Sequence, residues 1–247
     1  MLTTLRPLLL LLFSLGLSTT IALAQKNRSN EEDFIYKSEF VTGINFNTNG
    51  GLIGGFSFKY AKAITPKMYQ SFAIEFVNIK HPKERKLQSP ATGSVFVPGK
   101  QNYLYAVRPQ YGREFVLFKK AREQGIQVNF ITAIGPSIGV VAPYLIEVPV
   151  GGNTKIEQFD PEKHTNFQDI LGTGSFMESL VKSNFQIGGS LKLATSFEFG
   201  TFSTNVTGFE AGIMLDLYPK EIVIIPFTEN RNLYSSIYLT FFFGVRK

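Results

Sequence analysis

Seven charged residues lie within segments whose successive positions alternate between large apolar side chains and small or polar ones. They are Lys59, Glu75, Arg108, Lys192, Glu198, Glu210 and Asp216. Because the side chains of a β-strand point alternately to its two faces, these charges share the face opposite the large apolar residues. A buried charge without a partner is strongly destabilising. The pattern therefore predicts a network of opposite charges on one enclosed face. The alternative is a face that lines a selective pore or a gate.

Two pairs of opposite charges stand out within this set. Lys192 and Glu210 each lie nine residues from Thr201, so a hairpin turn centred on Thr201 makes them direct cross-strand neighbours. Glu75 and Arg108 fall on adjacent predicted strands, near the middle of each. The long connection between those two strands leaves their register open.

The composition argues against several other kinds of chemistry. The chain contains no cysteine, which excludes disulfides, cysteine-based metal sites, cysteine nucleophiles and a lipid anchor on an N-terminal cysteine. The net charge of +6 is spread thinly, and the charged run at residues 83–86 is interpreted as a solvated loop, so no nucleic-acid binding is predicted. Acids cluster in one loop without the spacing of a calcium-binding loop: Glu157, Asp160, Glu162 and Asp169. No metal or cofactor site is predicted.

The clearest strand pattern covers residues 184–218. Its first half places Phe185, Ile187, Leu191 and Leu193 on one face, and the alternation resumes after a turn. A run of about 14 residues is long for a strand of a soluble sandwich, and it is long enough to cross a bilayer at a tilt. The apolar face is therefore predicted to contact lipid.

Six further segments repeat the same period, near residues 39–47, 52–61, 68–76, 101–118, 126–138 and 233–245. The connections after the second, fourth and sixth strands are short to medium, whereas those after the third, fifth and seventh are long. This asymmetry and the even strand number are typical of bacterial outer-membrane barrels, and closure removes the strand edges that lipid cannot hydrate. The predicted fold is all-β, an eight-stranded antiparallel transmembrane β-barrel with long extracellular loops. The longest loop, residues 142–182, is predicted to be irregular, with a short helix near residues 167–171 or 176–181.

The N-terminal residues have the pattern of a cleaved secretory signal peptide. Arg6 precedes an apolar run at residues 8–17, and the small residues Ala22 and Ala24 offer a cleavage site. The predicted organisation is a signal peptide at residues 1–24, a flexible periplasmic lead-in at residues 25–38 and an outer-membrane barrel at residues 39–247.

Over residues 39–247 the chain resembles the small outer-membrane β-barrel proteins of Gram-negative bacteria, most closely those of the Bacteroidota. The resemblance rests on the architecture and on the Phe-rich closing strand, with Phe241 and Phe243. Such strands usually end on an aromatic residue, whereas this one ends on Arg246 and Lys247. The resemblance implies a location in the bacterial outer membrane, insertion by the barrel-assembly machinery, and contact with outer-membrane lipids and lipopolysaccharide.

Catalysis is not expected from this sequence. Barrels that trim lipid A use a histidine beside a serine and an acid near the outer rim, because ester hydrolysis needs a nucleophile and a general base within hydrogen-bond reach. The two histidines, His81 and His164, both fall in predicted outer loops, and neither lies on a strand with a serine two positions away. A lipid A-modifying enzyme is kept only as the third hypothesis.

The predicted function is that of a structural or interaction component of the outer membrane with a lumen filled by side chains. A narrow, porin-like passive pore for ions or small solutes is the alternative. The 142–182 loop is a candidate surface for a protein partner, since loops on a rigid scaffold commonly carry recognition. Its apolar residues favour a loop that packs over the barrel mouth, with a subunit contact as the alternative: Tyr144, Leu145, Ile146, Val148 and Val150.

Overall fold

The computed structural model describes residues 37–119, 125–199 and 204–247. Eight long strands dominate it: β1 Ser38–Asn47, β2 Gly51–Thr65, β3 Met68–Ile79, β6 Asn102–Phe118, β7 Gln127–Pro143, β11 Asn184–Phe199, β12 Asn205–Ile222 and β13 Arg231–Arg246. The connections contain shorter elements: β4 Leu87–Gln88, β5 Val95–Phe96, β8 Leu145–Val150, β9 Asn153–Gln158, a 3₁₀ helix Phe167–Asp169, β10 Gly172–Thr173 and the helix α1 Phe176–Val181.

The long strands form one closed sheet in the order β1-β13-β12-β11-β7-β6-β3-β2. Every neighbouring pair is antiparallel, and the first strand pairs with the last, with Glu39 opposite Arg246. A closed sheet leaves none of these strands with a free edge. The all-β, antiparallel architecture predicted from the alternation is confirmed. Among the described residues, no helix combines the length and the apolar character needed to span a bilayer.

The two faces of the barrel wall have opposite character. On β11, Phe185 and Ile187 point outward and are 68% and 69% exposed. On the same strand, Lys192 and Glu198 point inward and are buried. This distribution is the reverse of the one in a soluble protein, where large apolar side chains fill the interior.

The strands β11 and β12 pair in a different register from the one predicted. Lys192 lies opposite Met214, and Glu210 lies opposite Ser196. The direct opposition of Lys192 and Glu210, predicted from a turn centred on Thr201, is therefore wrong. The segment between the strands has no Asn-Gly or Asp-Gly dipeptide to fix the turn, so the sequence defined its position only approximately. Thr201 itself lies outside the described residues.

The 142–182 loop is more ordered than predicted. It contains the three-stranded sheet β10-β8-β9, in which β8 and β9 are joined by Gly151 and Gly152. Both glycines have positive φ, 58° and 84°, and this Gly-Gly pair after the apolar run at residues 144–150 is a hairpin signal that the expectation of an irregular loop overlooked. Both predicted positions for a short helix are occupied, by the 3₁₀ helix and by α1.

The connections divide unevenly between the two ends of the barrel. The long ones, residues 80–101, 144–183 and 223–230, lie at one end, and the first of them holds the β4–β5 hairpin. The other end holds the turn between β2 and β3, the first residues of β1 and the last residues of β13. The predicted signal peptide and most of the predicted lead-in lie outside the described residues, and β1 begins at Ser38, the last residue assigned to that lead-in.

Two adjacent glycines of β11 provide a test of this packing. A Cβ at Gly188 would lie 2.2 Å from the backbone oxygen of Leu217, whereas a Cβ at Gly189 would meet no atom within 4 Å. We expect Gly188→Ala to lower the free energy of unfolding by about 1–3 kcal/mol through overpacking. Gly189→Ala should be neutral or slightly stabilising, because it restricts only the unfolded chain. Urea unfolding of the refolded barrel measures both, and equal stabilities would contradict the packing.

Candidate functional site

The seven predicted charges lie on the inward face of the barrel wall. Six of them are buried, and the side chain of Lys59 is 12% exposed. Three further inward-facing charges were missed by the sequence reasoning, namely Glu39, Glu114 and Arg246. A signal for each was available, since Glu39 alternates with the apolar Phe40, Glu114 continues the alternation of Arg108, and Arg246 continues that of Tyr238. The sequence analysis treated Arg246 only as a departure from the usual aromatic strand end. In the structure it is a buried residue of the interior.

Lys192 lies at the centre of the network. Its Nζ contacts a carboxylate oxygen of Glu75 and lies 3.1 Å from Oε1 of Glu210. The same oxygen of Glu210 accepts a hydrogen bond from the Tyr238 hydroxyl at 2.5 Å. Glu75 belongs to β3 and Lys192 to β11, which β6 and β7 separate in the barrel. The ion pair therefore crosses the interior.

Arg108 extends this network toward the end with the long connections. Its Nε donates to Oδ1 of Asp216 at 2.8 Å, its second terminal nitrogen also contacts Asp216, and its first lies 3.5 Å from Glu75. Ser137 donates to the same oxygen of Asp216 at 2.8 Å and lies 2.9 Å from the hydroxyl of Tyr218. Glu75 and Arg108 are direct cross-strand partners, so the register that the sequence left open places them side by side.

A second group of charges lies near the end of the barrel at which β1 begins and β13 ends. Lys59 Nζ lies 2.9 Å from Glu114, across β3. Arg246 joins Glu39, at 2.8 Å, to Glu198. Opposite charges are thus distributed from this end to the middle of the barrel. The arrangement gives each of these buried carboxylates a cation partner on another strand.

An apolar cluster occupies the other end of the interior. Ile222, Ile224 and Ile225 belong to the last strand connection and its flank, and they pack against inward-facing residues of β3 and β6: Val77, Ile79, Leu104 and Ala106. The carbonyl of Ile224 accepts from the backbone N–H of Gln101 at 2.9 Å, which ties this connection to the start of β6. We call this cluster the apolar cap.

Two of the long connections, residues 80–101 and 144–183, form a module with its own core. Phe96 from the first of them packs with Tyr144, Ile146, Val148, Phe159 and Ile170 from the 142–182 loop. The Tyr144 hydroxyl accepts from the backbone N–H of Val97 at 2.8 Å, and burial raises the pKa of Tyr144. Of the five apolar residues that suggested a packed loop, four are buried, and Val150 is 53% exposed. We call this unit the loop module.

Lys100 is a buried charge of the loop module that the sequence did not reveal. It is 2% exposed, and its Nζ lies 2.8 Å from Glu84 and 4.4 Å from the ring centroid of Tyr103. Burial lowers the pKa of Lys100, while the Glu84 carboxylate acts in the opposite direction. The pair links the start of the first long connection to its end, and Lys100 also lies against Tyr103 of β6.

Both histidines serve as structural hydrogen-bonding groups. His164 accepts the backbone N–H of Asp160 at Nδ1, 2.9 Å away, and its Nε2 lies 2.9 Å from Glu157. Hydrogen bonds from Lys155 and then His164 lower the pKa of Glu157. His81 accepts the backbone N–H of Lys83 at 3.1 Å, and its Nε2 lies 3.2 Å from the carbonyl oxygen of Glu229. The His164 ring therefore links two stretches of the 142–182 loop, and the His81 ring links the first long connection to the third.

The acids of the 142–182 loop do not form a metal site in the structure. Within the described ranges there is no group of three or more histidine, aspartate or glutamate residues arranged to hold a metal ion. Asp160 and Glu157 instead bond to His164, as described above, and Glu162 donates its backbone N–H to Asp160 at 3.0 Å.

No protein-family model and no curated protein matches the sequence. Among solved structures, the chain is similar to Ail, the attachment invasion locus protein of Yersinia pestis, with 9% identity and a TM-score of 0.41 over 86% of this chain and 100% of that one. It is also similar to Neisserial surface protein A, with 10% identity and a TM-score of 0.37 over 85% and 96% of the two chains. A third is the N-terminal β-barrel domain of Pseudomonas aeruginosa OprF, with 4% identity and a TM-score of 0.33 over 84% and 98%.

These three neighbours are bacterial outer-membrane β-barrel proteins. Similarity at this level does not transfer a function from any of them to this chain. The predicted origin in the Bacteroidota stays a prediction.

The network predicts unequal costs for removing two lysines that each pair with glutamate. Lys192→Ala leaves Glu75 and Glu210 without their shared buried cation, and we expect a loss of about 3–5 kcal/mol in the free energy of unfolding. Lys155→Ala removes a pair with Glu157 whose lysine is 60% exposed, and should cost at most about 1 kcal/mol. Chemical denaturation of the refolded variants measures both values. Equal destabilisation would show that Lys192 does not neutralise the interior.

Proposed function

We propose that the chain is an outer-membrane β-barrel with a filled interior that acts as a structural or interaction component of the outer membrane. The observation that supports this proposal is the reversed distribution of side chains across the barrel wall. Large apolar residues such as Leu193, Ile237 and Phe243 are 46%, 65% and 60% exposed on the outside, while carboxylates and cations are buried inside.

Hydrocarbon is the solvent that suits this outer face. Soluble monomers rarely expose contiguous apolar patches above a few hundred Å², and here the apolar face continues around the barrel wall. A closed sheet pairs the backbone groups of every strand, which lipid requires because it offers no hydrogen bonds. Strands of 16–18 residues, such as β11 and β12, exceed the roughly 9–11 residues that a tilted strand needs to cross a bilayer.

The uneven connections support one orientation. In outer-membrane barrels the short turns face the periplasm and the long loops face outward. The loop module and the apolar cap would then face the cell exterior. The start of β1 and the end of β13 would face the periplasm. In this setting the partners are the outer-membrane lipids and lipopolysaccharide around the apolar wall, with the barrel-assembly machinery acting during insertion.

The interior contacts favour a sealed barrel over the narrow pore. Ion pairs cross the middle of the interior, and the apolar cap fills the end below the loop module. Hydrated ions would have to displace both groups to pass. Recognition therefore falls to the outer surface, where the loop module exposes Val150, Ile156 and Phe167 on a rigid support. A protein partner on the 142–182 loop is the interaction that we propose for this surface.

Conductance measurements decide between the sealed barrel and the pore. We expect the refolded wild-type protein to give no steady openings in a planar bilayer, because the apolar cap and the ion pairs exclude hydrated ions. The folded state is checked in the same sample by circular dichroism and by gel mobility before and after heating. Steady openings that change in the Lys192→Ala variant would replace the sealed barrel with the pore.

A pair of leucines tests the membrane location itself. Leu193 on β11 and Leu87 in the β4–β5 hairpin are similarly exposed, at 46% and 49%. In the proposed membrane, Leu193→Lys places a charge in hydrocarbon and should cost about 2–4 kcal/mol of folding free energy, whereas Leu87→Lys faces water and should be neutral. Both variants are compared by denaturant titration after refolding into vesicles. Two neutral substitutions would mean that β11 does not face lipid.

A further inference from the structure

Helix α1 carries two of the most exposed apolar side chains in the described part of the chain. Met177 is 67% exposed and Val181 is 85% exposed. They are four residues apart, so they lie on the same face of the helix. Neither residue belongs to the core of the loop module. Exposing two apolar side chains on one face would not stabilise a six-residue helix in water.

The opposite side of α1 holds the helix against the outside of the barrel. The ring of Phe176 makes edge contacts with Tyr105 and Tyr103 of β6, with centroids 5.9 and 6.4 Å apart. Both tyrosines occupy outward positions, since the inward face of β6 carries Leu104 and Arg108. Ser179 is 1% exposed on the packed side of the helix. The helix therefore lies beside the outer wall and does not cover the mouth of the barrel.

The apolar face of α1 continues the apolar wall. The helix ends at Val181, and β11 begins three residues later with the outward-facing Phe185 and Ile187, which are 68% and 69% exposed. Beside this face, Lys182 and Glu178 form an ion pair at 2.7 Å that gives the helix a polar stripe. An apolar face next to a charged one is the pattern of a helix that lies in a membrane interface.

We propose that α1 is a membrane-interface anchor, in which Met177 and Val181 insert among the lipid acyl chains of the outer leaflet. The inference rests on the proposed location of the barrel in the outer membrane. The occupant of this face is lipid because the face is continuous with the wall that lipid already covers. Since α1 is the last element of the 142–182 loop, its insertion would fix the tilt of the loop module relative to the membrane surface.

The sequence contains no tryptophan, so a single introduced tryptophan reports its own surroundings. The test compares Met177→Trp with two reference variants, Leu193→Trp in the apolar wall and Val150→Trp at the tip of the β8–β9 hairpin. Each is refolded into phosphatidylcholine vesicles with or without bromine on the acyl chains. We expect Met177→Trp and Leu193→Trp to lose most of their fluorescence to bromine, and Val150→Trp to keep it.

The reference variants separate the two ways in which the idea can fail. If Leu193→Trp is quenched and Met177→Trp is not, the helix faces water or a protein partner, and the anchor is overturned while the membrane barrel stands. If neither is quenched, the proposed membrane location fails and the anchor fails with it. Val181→Trp repeats the measurement one turn along the helix, which guards against a local effect of the first substitution. An unquenched signal at both helix positions overturns the inference.

Discussion

The contact between Lys192 and the carboxylates of Glu75 and Glu210 is the interaction on which the rest of this structure depends. A lysine with two glutamates is stable in a dry interior only when all three are held close together, because each charge loses its hydration. The three residues come from β11, β3 and β12, and β3 lies across the barrel from the other two. Closure of the sheet brings them together, so the pairing of these interior charges depends on closure.

The polar interior in turn determines the exterior. A single sheet has two faces, and once ion pairs fill the inner one, the large apolar residues of each strand can lie only on the outer one. A wall of this kind is stable in hydrocarbon and aggregation-prone in water. The apolar cap, built from Ile224 and its neighbours, then lies where the interior would otherwise open to solvent. The apolar outer face and the position of the apolar cap are thus both related to the placement of the charges on the inner face.

The alternation of residues was sufficient to predict the strands, their faces and the seven inward charges, because side-chain direction in a strand depends only on position along the chain. The ion-pair partners of these charges were harder to predict. Lys192 contacts Glu75 across the interior, and that contact depends on the order of the strands in the barrel. The register of β11 and β12 was predicted wrongly, because no strong turn dipeptide lies between the two strands. Arg246 was missed because expectation about the strand end replaced the alternation, which would have placed it inside beside Glu39 and Glu198.

In the sealed barrel that we propose, recognition takes place on the outer surface. Ion pairs link strands across the interior, and the loop module is held together by its own core and by the hydrogen bond from the Val97 N–H to the Tyr144 hydroxyl. Binding to a pre-organised surface loses less free energy to ordering than binding to a flexible loop. The order of the loop module would therefore also serve the proposed interaction. Exposed apolar residues such as Ile156 and Phe167 would then contact the proposed partner without first folding the loop that carries them.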